Sequence, residues 1–347
     1  MSTIQGVGEA DHAQAAPGKV DLETAIAVLR RDFGKALGAR VRSLSHSVTC
    51  DLDGVSLRVH YPSFCDGECT LQELVDVISL YIAPFALPRS EVEEVQQQYG
   101  KIPADEYDAI HTELHHRAVD LFKKAQRCTK RNGEAGELLL CLLTEWILDA
   151  PQLLAKMSLK TNPEMPVHGA DGVHVRFCSE TKRLVFFWGE SKLYQKISDA
   201  IEDAATSIAA ALESKKIKHE ISLVKRYITF SGLGADAESA IKNYLNPFKP
   251  TSNERMNVTT CLIGFDFKGY APNTSVAIDD IEEAFRADLN SSLEVWGEII
   301  SETLKAKGLA KRRVEIFLFP LPSVATFRKM FQQKIGWSLP AESKATA

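Results

Sequence analysis

The chain has 347 residues, 45% hydrophobic and 25% charged, which suits a folded protein with a sizeable core in one large unit or two of ordinary size. Its formal net charge is −5, which excludes a nucleic-acid-coating surface that is basic throughout but leaves room for a local basic patch. No apolar stretch free of charge reaches the length of about 18 residues that a membrane span needs, so no membrane association is expected.

The N-terminal stretch "MSTIQGVGEADHAQAAPGK" has no basic n-region and no apolar h-region, so it is not a secretory signal. A cytoplasmic location is expected, with residues 1–20 and 338–347 as flexible tails. The seven cysteines are odd in number and scattered, and they read as reduced thiols. Cys65 and Cys69 in "CDGEC" come nearest to a pair, but no second Cys/His pair at finger-like spacing accompanies them, so ordinary thiols are expected rather than a zinc site.

In chain order, residues 21–37 read as a helix. "VRSLSHSVTC" and "VSLRVHY" around "DLDG" then read as a hairpin on an Asp-Gly turn. Residues 70–84 form an amphipathic helix opened by a threonine and stopped by proline. From Pro103 to about Gln126 the pattern is helical and ends in a basic cluster, Lys123, Lys124, Arg127, Lys130 and Arg131. "GELLLCLLTEWILDAP" (136–151) is apolar nearly all round and predicts a buried helix. "GADGVHVRFC" and "RLVFFWGESKLY" predict two strands joined by "SETK". A helix at 196–215, a strand at "ISLVKRYITF", a short helix at 236–245 and a strand at "NVTTCLIGFDF" follow. A long helix at about 278–307, a strand at "VEIFLFPLP" and a helix at "SVATFRKMFQQKIG" close the chain. The fold class is α/β, a mixed sheet flanked by helices. A further α+β region is expected at 21–100, with a main domain at 101–337.

The chemistry concentrates on one strand. Side chains alternate faces with period two, so Glu190 and Lys192 share a face with Leu184, Phe186 and Trp188, while Ser191 points the other way. Burying a carboxylate or an ammonium without a partner is expensive, so this strand end should be an edge, a pocket or a site. If the preceding strand pairs with it as a hairpin, Asp171 comes beside Glu190. Two carboxylates with a neutral oxygen or water suit a hard divalent cation such as Mg²⁺, and Lys192 beside it would hold a phosphate oxygen or orient a bound water. Glu137, in the first turn of the apolar helix, is a fourth candidate. It shares a helical face with Cys141, Thr144 and Leu148, whereas Glu145 lies about 80° away. Trp188, one step inward of Glu190, is expected to pack.

A helical acid, an Asp, and Glu-x-Lys about twenty residues later resembles the PD-(D/E)xK nuclease superfamily, with its restriction-endonuclease-like fold. Here the Asp stands in "GADG" rather than after a proline. The stretch beginning "GELLLCLLTEWILDAPQLLAKMSLK", with "GESKLY" and "FPLPSVATFRKMF", is similar to the HamA family of the Hachiman anti-phage defence system and its AbpA relatives, over roughly residues 130–335. That resemblance implies a Mg²⁺-dependent DNase, with Mn²⁺ able to substitute, acting in a complex with a HamB-like helicase subunit. Asp171, Glu190 and Lys192 match the superfamily's Asp and Glu-x-Lys positions, and Glu137 its helical acid. The resemblance makes Asp171, Glu190, the Ser191 carbonyl and Glu137 the metal ligands. Lys196, Lys123, Lys124, Lys130 and Arg131 are expected to line the DNA path, with salt-sensitive, sequence-independent binding.

Blander readings stand beside these. Glu190 and Lys192 can be an exposed strand-end pair of little energetic value. Asp171 can be a turn residue, Glu137 a first-turn acid favoured by the helix dipole, and the basic cluster a solvated helix end. In "HTELHH", His111 and His115 have the zincin spacing, but Thr112 stands where the general base is needed. A catalytically silent adaptor on a nuclease-like fold, or a nuclease acting on RNA, are the alternatives to a DNase.

Overall fold

The structure, a computed structural model, describes residues 21–44, 50, 52–129, 132–160, 170–271 and 275–337. The chain opens with α1 (Leu22–Ala27), α2 (Gly34–Leu37), β1 (Val41–Ser43) and β2 (Val55–Pro62). A small hairpin, β3 (Phe64–Cys65) and β4 (Glu68–Cys69), follows. Next come the helices α3 (Leu71–Ser79), α4 (Ile82–Ala86), α5 (Arg89–Gln96), α6 (Ala104–Thr129) and α7 (Glu134–Leu148). β5 (Gln152–Leu154), α8 (Lys156–Lys160), β6 (Val173–Cys178), β7 (Arg183–Tyr194), α9 (Ile197–Ala211), α10 (Ser214–Tyr227) and α11 (Ala235–Tyr244) come after them. The chain ends on β8 (Arg255–Asp266), α12 (Ile281–Ala306), β9 (Val314–Leu321) and α13 (Val324–Lys334).

Seven strands form one mixed sheet in the order β1-β2-β9-β8-β7-β6-β5. The middle is parallel: β2 with β9, β9 with β8, and β8 with β7. Both margins are antiparallel, β1 on β2 at one and the β7–β6–β5 meander at the other. A parallel sheet is buried on both faces, which is why β8 and β9 read as almost unbroken apolar runs. On one face α7 packs with α3, α4, α6 and α13 over Val185, Phe187 and Leu193 of β7 and Phe317 of β9. On the other face α9 and α12 cover Cys261 and Ile263 of β8 and Ile316 and Leu318 of β9. Further along that face, α1, α10 and α11 cover Val173 and Val175 of β6 and Leu184, Phe186 and Trp188 of β7. The fold is therefore the expected α/β class, a mixed sheet with helices on both faces.

Three local expectations are corrected. The strand expected at 221–230 is instead the second half of α10 and a 3-10 turn at Ile228–Ser231. Its buried residues Glu220, Leu223 and Val224 recur at helical spacing, and this period prevails over the β-branched content. The helix expected at 21–37 is broken into α1 and α2. The segment 21–100 does not stand apart: β1 and β2 extend the main sheet, and α3 packs on α13. Cys65 and Cys69 lie on the small hairpin and are free thiols. No helix among the described residues is long and apolar enough to cross a membrane.

Two histidines in the sheet, His60 on β2 and His174 on β6, are buried. Burial pushes both pKa values down to about 4. The folded state keeps them neutral while the unfolded chain protonates them near pH 6.5. Their stabilising contribution is thus complete above about pH 6.5 and lost as pH falls toward 4, by roughly 3 kcal/mol per histidine. The denaturation midpoint should fall between pH 7 and 4.5. Replacing His174 by glutamine should flatten part of that decline. A midpoint and pH dependence the same in both proteins would refute the assignment to His174.

Candidate active site

The β6–β7 hairpin pairs Val173 with Trp188, and the contact extends beyond the first residue of β6. Asp171 N–H donates to the Gly189 carbonyl at 2.7 Å, and Gly189 N–H donates to the Gly172 carbonyl at 2.9 Å. The two chains approach so closely here that a Cβ on Gly189 would lie 3.2 Å from the Gly172 nitrogen. The hairpin carries the Asp171 side chain across to β7, where Oδ2 accepts the Ser191 N–H at 2.9 Å. The expected juxtaposition of Asp171 with the Glu-x-Lys segment is thus present in the fold.

Strand parity does the rest. Leu184, Phe186 and Trp188 sink into the core under α10 and α11. Trp188 stacks on Phe186 at 5.8 Å, and its Nε1–H donates to Asn257 Oδ1 at 3.2 Å, so it packs beneath the site. Glu190 and Lys192 continue the same face and meet α9. Lys192 Nζ lies 3.0 Å from Glu190 Oε1 and 2.9 Å from Asp203 Oδ2. The Tyr194 hydroxyl donates to Asp203 Oδ2 at 2.7 Å, and Ser207 hydrogen-bonds Glu190. Burial raises the Glu190 pKa and the neighbouring Asp171 charge raises it further, against the opposing pull of Lys192. Burial alone would lower the Lys192 pKa, but Glu190 and Asp203 outweigh it and raise it.

Lys192, one ammonium, is therefore set against two carboxylates before Asp171 is counted. A carboxylate whose charge is disfavoured by a like charge and by desolvation is relieved by a cation, and a hard divalent ion takes oxygen ligands of this kind. The residues present fit such an ion. Asp203, Ser207 and Tyr194 were not among the sequence candidates. Part of their signal is local. α9 starts three residues after β7 ends, and Asp203 and Ser207 stand four apart between the buried Ala200, Ala204 and Ile208.

Ser191 points to the other face, where its Oγ is buried without a hydrogen-bond partner and lies against Gly136 of α7. A Cβ at Gly136 would come closer to that oxygen than any real Cβ does. Glu137 is the next residue, half-buried in the first turn of α7. α7 itself packs on the face opposite Glu190 and Lys192. Glu145 is engaged elsewhere: it accepts the Gln152 N–H at 2.9 Å and pairs with Arg31 at 3.7 Å. Cys141, Glu145 and His174 place donor atoms within 4.8 Å of one another and are all buried. Two guanidinium groups, Arg31 and Arg89, act on the same carboxylate. Positive charge is already supplied there, and the cluster reads as a structural polar network rather than a cation site. His174 Nδ1 lies 2.9 Å from the Ala150 carbonyl, on the face away from Asp171, as its parity requires.

Among the described residues, the expected basic side chains do not gather in one place. Lys196 is exposed at the N-cap of α9, close in chain to Lys192. Lys123 and Lys124 lie on α6, in the helical layer of the opposite face. Lys130, Arg131 and His168 lie outside the described residues.

The fold and site together define a mixed α/β protein with an Asp, a Glu-x-Lys and a further helical Asp converging at the end of a central strand. The family model of HamA matches residues 41–335, and the chain belongs to the HamA family. Membership brings with it a role in Hachiman anti-phage defence. The match begins at the first residue of β1 and so takes in the N-terminal strands that the sequence resemblance left out. Comparison with curated proteins finds no match.

Proposed function

We propose that the chain is a metal-dependent DNA nuclease of the PD-(D/E)xK type, the effector subunit of a defence complex with a HamB-like helicase. The observation that carries this reading is the convergence of Asp171, Glu190 and Lys192 on one face at the end of β7, drawn together by the hairpin. Asp171 and Glu190 would hold Mg²⁺ or Mn²⁺, with the Ser191 carbonyl as a third ligand; Glu137, on the helix that packs against the opposite face, is left out of this set. When bound, such an ion polarises the scissile phosphate and lowers the pKa of the attacking water. Lys192 donates hydrogen bonds to that water or to a phosphate oxygen and offsets the charge that builds on the phosphorane. Glu190 and Asp203 keep its ammonium charged and fixed in place, so little reorganisation is needed during reaction.

The test is incubation of the purified chain with plasmid and linear DNA in Mg²⁺, in Mn²⁺ and in chelator, with and without the helicase subunit. Cleavage that requires the divalent ion is expected. A nonspecific DNase endangers its own cell, so restraint of the subunit until its partner engages DNA is part of the proposal. Robust cleavage by the subunit alone would remove the restraint. No cleavage in any combination would leave a silent adaptor, and cleavage of RNA alone would change the substrate.

A further inference from the structure

α10 is the most one-sided element on the face that carries the site. Its fourteen residues, SKKIKHEISLVKRY, include five Lys or Arg and one acid, in a chain whose net charge is −5. The acid, Glu220, is turned inward, and both carboxylate oxygens lie 2.9 Å from the buried Lys156 Nζ. Leu223 and Val224 face inward with it, packed over β6 and β7. The outward positions, at i, i+3, i+4, i+7 and i+11, are Lys215, Lys218, His219, Ser222 and Arg226, all exposed, and Lys216 is exposed beside them. The outer face of the helix thus carries lysines, an arginine, an imidazole and a hydroxyl, and no acid.

Its position ties it to the site. Lys156, which holds Glu220, also donates to the Ala170 carbonyl at 2.6 Å, and Ala170 precedes Asp171 in the chain. The basic stripe therefore stands about one helix diameter, roughly 10 Å, outward of the residue beside Asp171. From 215 to 226 it runs about 16 Å, close to the rise of five nucleotides along one strand. The neighbouring α9 exposes Asp199 and Glu202 and is unsuited to phosphate. Lys123 and Lys124 belong to the opposite layer.

We propose that the outward face of α10 is the track along which the DNA phosphate backbone approaches Asp171 and Glu190. The proposal rests on the nuclease reading and assigns its substrate contact to Lys215, Lys216 and Lys218 rather than to Lys123 and Lys124. Contacts of this kind are phosphate contacts. They position the duplex without reading its sequence, and each adds about one to the magnitude of the slope of log affinity against log salt.

The experiment measures binding of a 30-base-pair DNA duplex by fluorescence anisotropy across a salt series, in chelator so that nothing is cut. Wild-type chain is compared with K215A/K216A/K218A and with K123A/K124A, with melting temperatures recorded for all three. The α10 variant is expected to melt like wild type, to bind at least tenfold more weakly at 100 mM salt, and to lose about two to three from the slope. The α6 variant should bind like wild type. An α10 variant with wild-type affinity and slope would overturn the proposal while leaving the nuclease reading standing. A wild-type chain that binds no duplex even at low salt would overturn the proposal, and the nuclease reading would then be decided by the cleavage assay with the helicase subunit. Tighter binding of an RNA duplex in the same assay would overturn DNA as the occupant.

Discussion

Glu190→Ala is expected to abolish divalent-dependent DNA cleavage, and Lys192→Ala to lower it by about 10²–10³-fold, the scale on which a single preorganised electrostatic contact acts. The two losses have different origins, and stability measurements separate them from unfolding. Glu190 is a poor residue for stability as it stands, because burial and the Asp171 charge both disfavour its ionised form. Its folded pKa is raised, so its favourable contribution is complete below the unfolded value near 4.3 and is lost as pH rises through the folded one. At pH 7 the isosteric Glu190→Gln should therefore melt at the wild-type temperature or above it, yet be inactive. Lys192 behaves in the opposite way. Removing it leaves Glu190, Asp203 and Asp171 without the ammonium that faces two of them at 3.0 and 2.9 Å, so Lys192→Ala should melt lower. Inactivity with raised stability in one variant and inactivity with lowered stability in the other cannot both come from misfolding. Full cleavage by folded Lys192→Ala would sink the assignment of the site.

The part of this site that could be read from sequence is the part governed by local rules. Period-two alternation put Glu190 and Lys192 on one face, and a short polar turn made the hairpin that brings Asp171 to Ser191. Asp203 required a step that no local pattern supplies, namely which face of the sheet α9 covers after the strand turns back. The sheet's far half was hidden for the same reason. β2 lies parallel to β9, and Arg58 pairs with Glu315 across 257 positions, a separation at which no turn signal connects the partners. The second half of α10 has the pattern of a strand because its apolar residues are β-branched or aromatic in part. Its inward acid Glu220 is held by Lys156, 64 positions earlier, a separation that no local pattern bridges.

That buried pair yields the second large effect. Lys156 is 1% exposed and Glu220 6%. Replacing either alone by alanine deprives the other buried charge of this partner, which costs about 3–5 kcal/mol and should show as a marked fall in the denaturation midpoint. Replacing both by apolar residues of similar size, Lys156→Met with Glu220→Leu, removes the charges together and should restore the midpoint to near wild type. The wild-type Mg²⁺ requirement should not return with it. The ammonium also donates to the Ala170 carbonyl at 2.6 Å, and neither new side chain can do so. The residue before Asp171 then loses its anchor, although the Asp171 N–H keeps its bond to Gly189. Partners that orient a metal-binding residue without touching the metal are typically worth about 10–100-fold in metal affinity or activity. The double variant should accordingly be as stable as wild type but need about tenfold more Mg²⁺ for half-maximal cleavage. A double variant with the wild-type Mg²⁺ requirement would make the pair a stabilising element only, and the position of Asp171 would then be set by the hairpin alone.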